Sequence, residues 1–393
     1  FNDLGETITG DSNGNIIIGP RGTNKPSRII RDAHPGGVFS ILAMKDGNYL
    51  TGGRDRRIIE WDETFSPTSR QAELPEHCGG VRFITYGRGP QVLIGTLRNC
   101  ILIGSLDSEF NLVMQGHTEA TTALATHPNQ RKYLTGGFDD QIHLIDCETR
   151  QVEWSKHMSQ PITAASYSPN GMTLILGSVA GNWIVLDAIS LDVMFEACDG
   201  AGTITCVKYS PDGLRFCLSS SDCNVYIYET DHTASQFRRT GGCVGHSAPI
   251  KEVDWSVDSC YIQTQSMNFE LLFWKAANCR QIENDTIVHD IKWHTQNCTT
   301  GFNSIGIWSD SIDSALINYC DKSNRGDLVV TSTDTGYINL YRAPTYYSQC
   351  LSHKYYGNVD KFNFIKFLYD DSRLIAVGAK NCATTEWIIE RLQ

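Results

Sequence analysis

The stretch LTGGRDRRIIEWD, at residues 50–62, returns at residues 134–146 as LTGGFDDQIHLID. Both copies begin with apolar and small residues, pass through a charged centre and end in a run rich in β-branched residues. An apolar run, a polar turn and a second apolar run predict two antiparallel strands joined by a tight turn. A hairpin that recurs along one chain predicts a fold made of repeated sheets.

Seven further copies of this hairpin pattern occur along the chain. They begin at Ile8, Leu93, Ile175, Leu218, Ile262, Val330 and Ala376. Most copies are separated by about 40 to 45 residues, a period that with several strands per repeat is typical of propeller blades. The sequence therefore predicts an all-β fold, a WD-repeat β-propeller with about nine blades that are parts of two adjacent propellers.

A second signal accompanies several copies. A Gly-His or Ala-His pair precedes the inner strand of some repeats, and an aromatic residue ends the hairpin. This arrangement resembles the WD-repeat pattern, in which a histidine and a turn aspartate tie the loops of one blade together. A hydrogen-bonded role satisfies buried polar groups. We therefore interpret the following residues as structural and not catalytic: His34, Asp55, Trp61, His117, Asp139, Asp222 and His246.

Composition excludes several classes of protein. The formal net charge is −11, whereas a nucleic-acid-binding protein usually carries a basic surplus because phosphate neutralisation supplies much of its affinity. No apolar run approaches the roughly 18 residues of a membrane span. The 14 cysteines lack C-x-x-C spacing, so we expect free thiols and a reducing compartment. We expect no catalytic residues, no metal site, no cofactor, no nucleic acid and no membrane partner.

Longer motifs carry a more specific resemblance. The segments ETITGDSNGNIII (6–18), AHPGGVFSILAMKDG (33–47) and YSPDGLRFCLSSSDCNVYIY (209–228), together with a long insertion after residue 298, resemble the echinoderm microtubule-associated protein-like family. The resemblance implies tandem propellers that follow a coiled coil and a basic stretch, which this chain lacks. Oligomerisation is then expected through segments absent from the chain.

The resemblance and the repeat spacing together predict a domain division. We expect residues 1–65 to form the last two blades of a first propeller, truncated at its N-terminus, and residues 66–393 to form a second, seven-bladed propeller. The last blade leaves no room for an outer strand before the chain stops. Residues 69–75 are therefore predicted to close the second ring by pairing with residues 384–390. If residues 69–75 instead complete the blade that ends at Trp61, the last blade should have three strands.

Three functions remain open from the sequence. The resemblance implies a non-catalytic microtubule-associated scaffold that binds tubulin or microtubules and other cytoskeletal or axonemal proteins. Such a protein would lie in the cytoplasm on the microtubule cytoskeleton, with the cilium or axoneme as one location. The alternative is a generic WD-repeat adaptor in a multi-subunit complex, since one fold hosts many functions. A propeller enzyme with carboxylates at the axial channel is a third hypothesis, and no motif supports it.

Basic residues in the turns are the candidate partner surface. An acidic chain that meets an acidic partner must approach through a local basic patch, because charges are screened over roughly 8 to 10 Å at physiological salt. The densest cluster is Arg54, Arg56 and Arg57, and Arg98 and Lys380 occupy the equivalent turns of other blades. The competing interpretation is that these are solvated turn charges, some of them paired with neighbouring acids.

Overall fold

The computed structural model describes residues 5–22, 25–200, 202–231, 236–283, 285–308, 316–347, 350–357 and 360–390. Within these residues the chain forms nine antiparallel sheets of three or four strands. The predicted all-β fold of about nine blades is therefore confirmed. Among the helices of the described residues, none is long and apolar enough to cross a membrane.

The chain divides into two compact units, residues 1–118 and residues 119–393. The first unit holds three sheets, a three-stranded sheet followed by two four-stranded sheets. Their strands are β1 (Glu6–Gly10), β2 (Ile16–Pro20) and β3 (Arg28–Ile30); β4 (Val38–Ala43), β5 (Tyr49–Gly53), β6 (Arg57–Trp61) and β7 (Pro67–Glu73); and β8 (Val81–Tyr86), β9 (Val92–Thr96), β10 (Cys100–Ser105) and β11 (Ser108–Gln115). A short 3-10 helix, Glu76–Cys78, precedes β8.

The second unit holds six sheets, of which the last has three strands in the described residues. The first three are β12 (Thr121–Thr126), β13 (Lys132–Gly137), β14 (Gln141–Asp146) and β15 (Val152–His157); β16 (Ile162–Tyr167), β17 (Thr173–Ser178), β18 (Asn182–Asp187) and β19 (Val193–Cys198); and β20 (Ile204–Tyr209), β21 (Arg215–Ser220), β22 (Asn224–Thr230) and β23 (Phe237–Val244).

The other three sheets of the second unit surround an insertion. Their strands are β24 (Ile250–Trp255), β25 (Tyr261–Ser266), β26 (Leu271–Lys275) and β27 (Arg280–Gln281); β28 (Ile317–Lys322), β29 (Leu328–Thr333), β30 (Tyr337–Arg342) and β31 (Ser352–Tyr356); and β32 (Phe362–Phe367), β33 (Arg373–Gly378) and β34 (Thr384–Ile388). The insertion carries a helix, α1 (Asp285–His289), and a 3-10 helix, Phe302–Ile307.

The small residue of the repeated hairpin has a packing reason. A Cβ atom on Gly52 of β5 would lie 2.4 Å from Val81 Cγ1, at the start of the next inner strand, and one on Gly177 would lie 2.4 Å from Ile204 Cγ2. Real Cβ atoms do not approach other atoms this closely. In these two blades the second strand therefore packs directly against the first residue of the following inner strand, and a larger side chain would push the two sheets apart.

The hydrophobic core lies between neighbouring sheets. In the first unit, Ile58, Val81 and Ile94 are fully buried in one cluster shared by the second and third sheets. In the second unit, Trp183 and Phe216 pack edge to face across two sheets, with ring centroids 5.4 Å apart. Burial of such side chains contributes about 1.5 to 3 kcal/mol each, so the contacts between blades stabilise each unit.

The six sheets of the second unit and the insertion close a ring. The first and last inner strands meet where Asn363 Nδ2 donates to the carbonyl of Thr121 at 3.0 Å. Between the fourth and fifth sheets the insertion takes the place of a blade, because Trp293 forms a β-bridge with Ser256 and Asn297 Nδ2 donates to the carbonyl of Cys320 at 2.8 Å. The inner strands of the first and last sheets therefore contact each other, and the ring closes between them.

The structure corrects two expectations about organisation. The third sheet, which begins at Val81, packs on the second sheet and belongs to the first unit, so the predicted division after residue 65 falls inside that unit. Closure of the second ring by residues 69–75 is wrong, since β7 (Pro67–Glu73) pairs with β6. The cause is local: a strand that follows its neighbour through a short turn pairs with it at a smaller entropic cost than a distant strand does. The last sheet accordingly has three strands in the part of the chain that the structure describes.

All fourteen cysteines are free in the structure. Several behave as small core residues, as expected from their place in apolar strands: Cys206, Cys217 and Cys320 are buried, and burial raises the pKa of each thiol. A thiol with a raised pKa is a poor nucleophile. These buried cysteines therefore contribute packing rather than reactivity.

Candidate functional site

Four side chains of the first unit form a hydrogen-bonded chain, called here the His34 tetrad. His34 lies before the inner strand β4, Thr51 lies on β5, and Trp61 ends β6, while Asp55 lies in the turn between β5 and β6. His34 Nδ1 is 2.8 Å from Asp55 Oδ1 and its Nε2 is 2.7 Å from Thr51 Oγ1. Trp61 Nε1 donates to the same Thr51 oxygen at 2.7 Å.

The tetrad fixes its own proton positions. The indole N–H of Trp61 can only donate, so Thr51 Oγ1 accepts from it and donates its own proton to His34 Nε2. The Nδ1–H of His34 then donates to the Asp55 carboxylate. Burial lowers the pKa of His34, although the neighbouring Asp55 raises it in part. The imidazole is therefore held neutral, and every polar side-chain atom of the tetrad has a hydrogen-bond partner.

The second unit repeats this arrangement in the His246 tetrad. His246 Nε2 is 2.7 Å from Thr264 Oγ1, and Trp274 Nε1 donates to that hydroxyl at 2.8 Å. Glu270 takes the place of the turn aspartate, with Oε2 lying 3.0 Å from His246 Nδ1. The sequence search identified His246 but missed Glu270 and both threonines. A threonine on the second strand 17 or 18 residues after the histidine is the signal that would have found them.

The remaining predicted structural residues lie in turns of their own blades or before an inner strand. Asp222 accepts from the Tyr226 hydroxyl at 2.5 Å and from the backbone N–H of Asn224 at 3.1 Å. Asp139 accepts from the backbone N–H of Gln141 at 3.2 Å. His117 is buried at 3% exposure. The contacts of Asp222 and Asp139 hold their turns in place. His117, Asp139 and His143 each place one possible metal-ligand atom within 4.8 Å of the others, so this group could hold a metal ion, which the sequence did not predict.

The predicted basic surface divides into exposed and paired arginines. Arg54 and Arg98 are exposed, and they flank one loop of the first unit. The backbone of Arg54 lies against Gly80, and the side chain of Arg98 lies against Gly79, since a Cβ on either glycine would come within 2.9 Å of them. Arg54 makes no side-chain hydrogen bond or ion pair with the residues that the structure describes. Two neighbouring blades therefore present Arg54 and Arg98 on one face.

The other two arginines of the cluster are bound to acids. Arg56 Nη2 is 2.9 Å from Glu73 Oε1, on the outer strand of the same sheet. Arg57 Nε is 2.7 Å from Asp55 Oδ2, the free oxygen of the carboxylate that binds His34. Arg57 therefore supports the His34 tetrad, and only part of the cluster presents unneutralised charge.

Lys380 lies in the second unit, in the turn between β33 and β34. Its side chain is exposed and its backbone N–H donates to Asp360 Oδ2 at 2.8 Å. The hydrogen bond from the backbone N–H of Lys380 is the largest cause that lowers the pKa of Asp360. The positive charges of Lys380 and Lys361 lower it further. This exposed lysine is thus accompanied by an acid held in its charged form.

Comparison with known proteins matches both units. A family model described as the echinoderm microtubule-associated protein first beta-propeller matches residues 1–104. One described as the second beta-propeller of that protein matches residues 121–389. The gap between the two matches contains the boundary after Thr118 at which the structure divides the chain. Both units are therefore parts of tandem propellers.

Curated relatives match along nearly the whole chain. Echinoderm microtubule-associated protein-like 2 of Rattus norvegicus is 37% identical over 388 residues, which is 98% of this chain and 60% of the relative. Echinoderm microtubule-associated protein-like 1 of Mus musculus is 34% identical over 388 residues, 98% of this chain and 48% of the relative. The 77 kDa echinoderm microtubule-associated protein of Lytechinus variegatus is 34% identical over 390 residues, 99% of this chain and 59% of the relative.

The chain thus spans between 48% and 60% of the length of these three relatives. The second-propeller match by itself covers more than half of the chain. On that ground the chain belongs to the echinoderm microtubule-associated protein family.

Proposed function

We propose that the chain is a non-catalytic, microtubule-associated scaffold that binds tubulin or microtubules through its propeller surfaces. The observation that carries this proposal is the family match across 98% of the chain, to relatives whose names describe them as microtubule-associated. The histidines of both tetrads are hydrogen-bonded at both ring nitrogens, which supports a structural use of the residues that most resemble catalytic ones. A place on the microtubule cytoskeleton, including the axoneme, is part of the same proposal and is tested by localisation of the tagged protein.

Arg54 and Arg98 are the residues of the first unit that we assign to the partner. They are exposed on one face, their charges are not cancelled by an ion pair, and they lie on adjacent blades around the loop at Gly79. Arg56 and Arg57 contribute less to the positive potential of this face, because they form ion pairs with Glu73 and Asp55. We assign Lys380 to a separate contact of the second unit.

The experiment is microtubule co-sedimentation of the chain and its Arg54→Glu/Arg98→Glu variant over a salt series. Charge contacts of this kind weaken as salt rises. We expect the double variant to bind at least about fivefold more weakly at low salt and to show a flatter salt dependence. Each exposed contact contributes roughly 0.2 to 1 kcal/mol, and reversal both removes two attractions and adds two repulsions.

The matched control for the single variant Arg98→Glu is Arg88→Glu, which makes the same charge change in the turn between β8 and β9, at the opposite end of the sheet from Arg98. Reversal of Arg57 is a poor test, since a glutamate there would lie beside Asp55 and disturb the His34 tetrad. Lys380→Glu is measured alone. Equal binding by all variants would remove the arginine surface from the proposal, and no sedimentation of the wild-type chain would favour the adaptor function instead.

A further inference from the structure

A cavity of about 550 Å³ opens at one end of the ring of the second unit. The carboxyl ends of the inner strands β12, β16, β20, β28 and β32 form its wall together with the insertion. Three lysines reach it from three of these elements: Lys208, Lys322 and Lys366. We call this cavity the channel mouth. Pockets of about 300 to 1,000 Å³ are typical of small-molecule sites.

Two acids near these lysines are bonded to other groups, and a third, the buried Glu252, attracts both Lys208 and Lys366 electrostatically. Asp321 accepts from Asn297 Nδ2 at 3.0 Å and from the backbone N–H of Phe367 at 2.9 Å. Asp254, behind the insertion, accepts four hydrogen bonds, from Thr295 Oγ1 and from the backbone N–H of Asn297 at Oδ1, and from Gln263 Nε2 and the backbone N–H of Cys298 at Oδ2. Amide and hydroxyl donors therefore satisfy both carboxylates without an ion pair to a lysine.

The lysines keep unused hydrogen-bond donors. Lys208 Nζ donates to Asn297 Oδ1 at 2.5 Å and Lys322 Nζ donates to the carbonyl of Trp293 at 2.8 Å. An ammonium group carries three donors, so each retains two. Lys366 makes no side-chain hydrogen bond or ion pair within the described part of the chain. Lys366 is partly buried and lines the cavity.

Partly buried charges of both signs meet at the channel mouth. Burial is the largest cause that lowers the pKa of Lys366 to about 8, and the positive charge of Lys208 is the next. Asp321 and Glu252 oppose this shift. Burial in turn raises the pKa of Glu252, deeper in the channel, to about 7. Glu252, Asp254 and Asp321 favour the charged form of Lys208, and an anion bound between Lys208 and Lys366 would offset the repulsion between the two ammonium groups, since opposite charges interact strongly where water is excluded.

We propose that the channel mouth binds a small polyanion, a molecule that carries at least two phosphate or carboxylate groups. Lys208 and Lys366 would bind one group and Lys322 the other. His127 adds a neutral donor: its Nδ1 accepts from the backbone N–H of Asn129 at 3.1 Å, so the ring proton lies on Nε2. This inference is independent of the microtubule proposal, because its site lies in the second unit and its test uses no tubulin.

The test is isothermal titration calorimetry of the full chain with two probes, inorganic pyrophosphate and citrate. We expect one of them to bind with a Kd below about 1 mM at physiological salt. Lys366→Met and Lys208→Met, which keep side-chain length and remove charge, should each weaken binding at least about tenfold. Lys366→Arg should retain the affinity within about threefold, because it keeps the positive charge at this position. Lys275→Met is the matched control, since Lys275 is exposed at the end of β26 and does not line the cavity.

The outcomes separate the sources of the ligand. Tighter binding of pyrophosphate supports a phosphate ligand, and tighter binding of citrate supports a polycarboxylate. Absence of binding by both probes overturns the proposal, as does equal binding by the wild-type chain and both methionine variants. Binding of a hexaglutamate peptide that pyrophosphate does not displace would also overturn it, by assigning the cavity to an acidic peptide. Circular dichroism of Lys366→Met, in which a buried charge is lost, shows whether the variant remains folded.

Discussion

The His34 tetrad and the channel mouth are both polar regions inside a propeller unit, and they distribute their hydrogen bonds differently. In the tetrad, each donor meets one acceptor, from Trp61 through Thr51 and His34 to Asp55. In the channel mouth, Asp321 accepts from an amide and a backbone N–H, whereas Lys366 has no hydrogen-bond or ion-pair partner among the described residues. A closed network stabilises a blade, and a network with unused donors is prepared for a ligand.

This contrast separates structural from binding residues better than residue type does. A buried histidine beside an aspartate resembles a catalytic pair. In His34, however, both ring nitrogens are hydrogen-bonded, and burial lowers the pKa of the imidazole, which favours its neutral form. The lysines of the channel mouth belong to no recognisable motif, yet they keep hydrogen-bond donors that no described residue accepts. Unpaired buried polar groups are costly, so a ligand that pairs them gains what the fold itself leaves unsatisfied.

The largest expected effect comes from breaking the closed network. Thr51→Val keeps the side-chain shape but leaves Trp61 Nε1 and His34 Nε2 without their shared partner. Each unsatisfied buried group costs about 1 to 3 kcal/mol, so the loss of partners for these two groups should cost the first unit roughly 2 to 6 kcal/mol. Thermal melting of the chain, together with hydrogen exchange of the β5–β6 hairpin, measures this loss of stability. Thr264→Val should do the same in the second unit, and an unchanged melting temperature would contradict the structural role of both tetrads.

The opposite sign is expected for the open network. Lys366→Met removes an ammonium group whose pKa is lowered from 10.5 to about 8. A shift of this size corresponds to about 3 kcal/mol, which water in the cavity reduces to about 1 to 2 kcal/mol. The second unit should therefore become more stable in the absence of a ligand. The gain should shrink above pH 8, because the folded wild-type lysine then loses its proton before the unfolded one does.

Calorimetric melting of the wild-type chain and Lys366→Met at pH 7 and pH 9.5 tests this sign. A variant that melts lower than the wild type at pH 7 would mean that Lys366 has a stabilising partner. That result would make the channel mouth resemble the tetrads.

A moderate effect is expected from acidification of the tetrads. Burial lowers the pKa of His34 and His246 below the usual 6.5. The unfolded chain then binds more protons than the folded chain as the pH falls below about 6.5, so the unfolding free energy decreases in that direction. Hydrogen exchange of the hairpins β5–β6 and β25–β26 at pH 7.5 and pH 5.5 should show more frequent opening at the lower pH. Substitution of the exposed His353 by Gln should leave this difference unchanged.

The smallest effect distinguishes Arg57 from Arg56. Arg57 binds the carboxylate of the tetrad, whose side chain is 10% exposed, whereas Arg56 binds Glu73, whose side chain is 59% exposed. Exposed ion pairs contribute about 0 to 1 kcal/mol. We expect Arg57→Met to cost about 0.5 to 1 kcal/mol in the melting of the first unit and Arg56→Met to cost less. Equal costs would place Arg57 with the surface charges.

Much of the fold could be predicted because each blade repeats a local pattern. The hairpin at residues 50–62 contains its strands, its turn and its glycine, and Gly52 must stay small wherever the next blade packs. The boundary between the units could not be predicted in this way. Every blade has the same pattern, and only packing between blades shows that the sheet beginning at Val81 belongs with the first unit.

The candidate sites divide in the same manner. The sequence by itself identified His34, Asp55, Trp61 and the arginine cluster, because these residues lie within one repeat and their spacing is fixed by the hairpin. Only the tertiary structure decided that Arg57 is paired while Arg54 is exposed. It alone brought Lys208 and Lys366 to one cavity, since they lie on different blades and meet only when the ring closes. Repeat spacing encodes contacts within a blade, whereas ring closure creates contacts between residues that no local pattern relates.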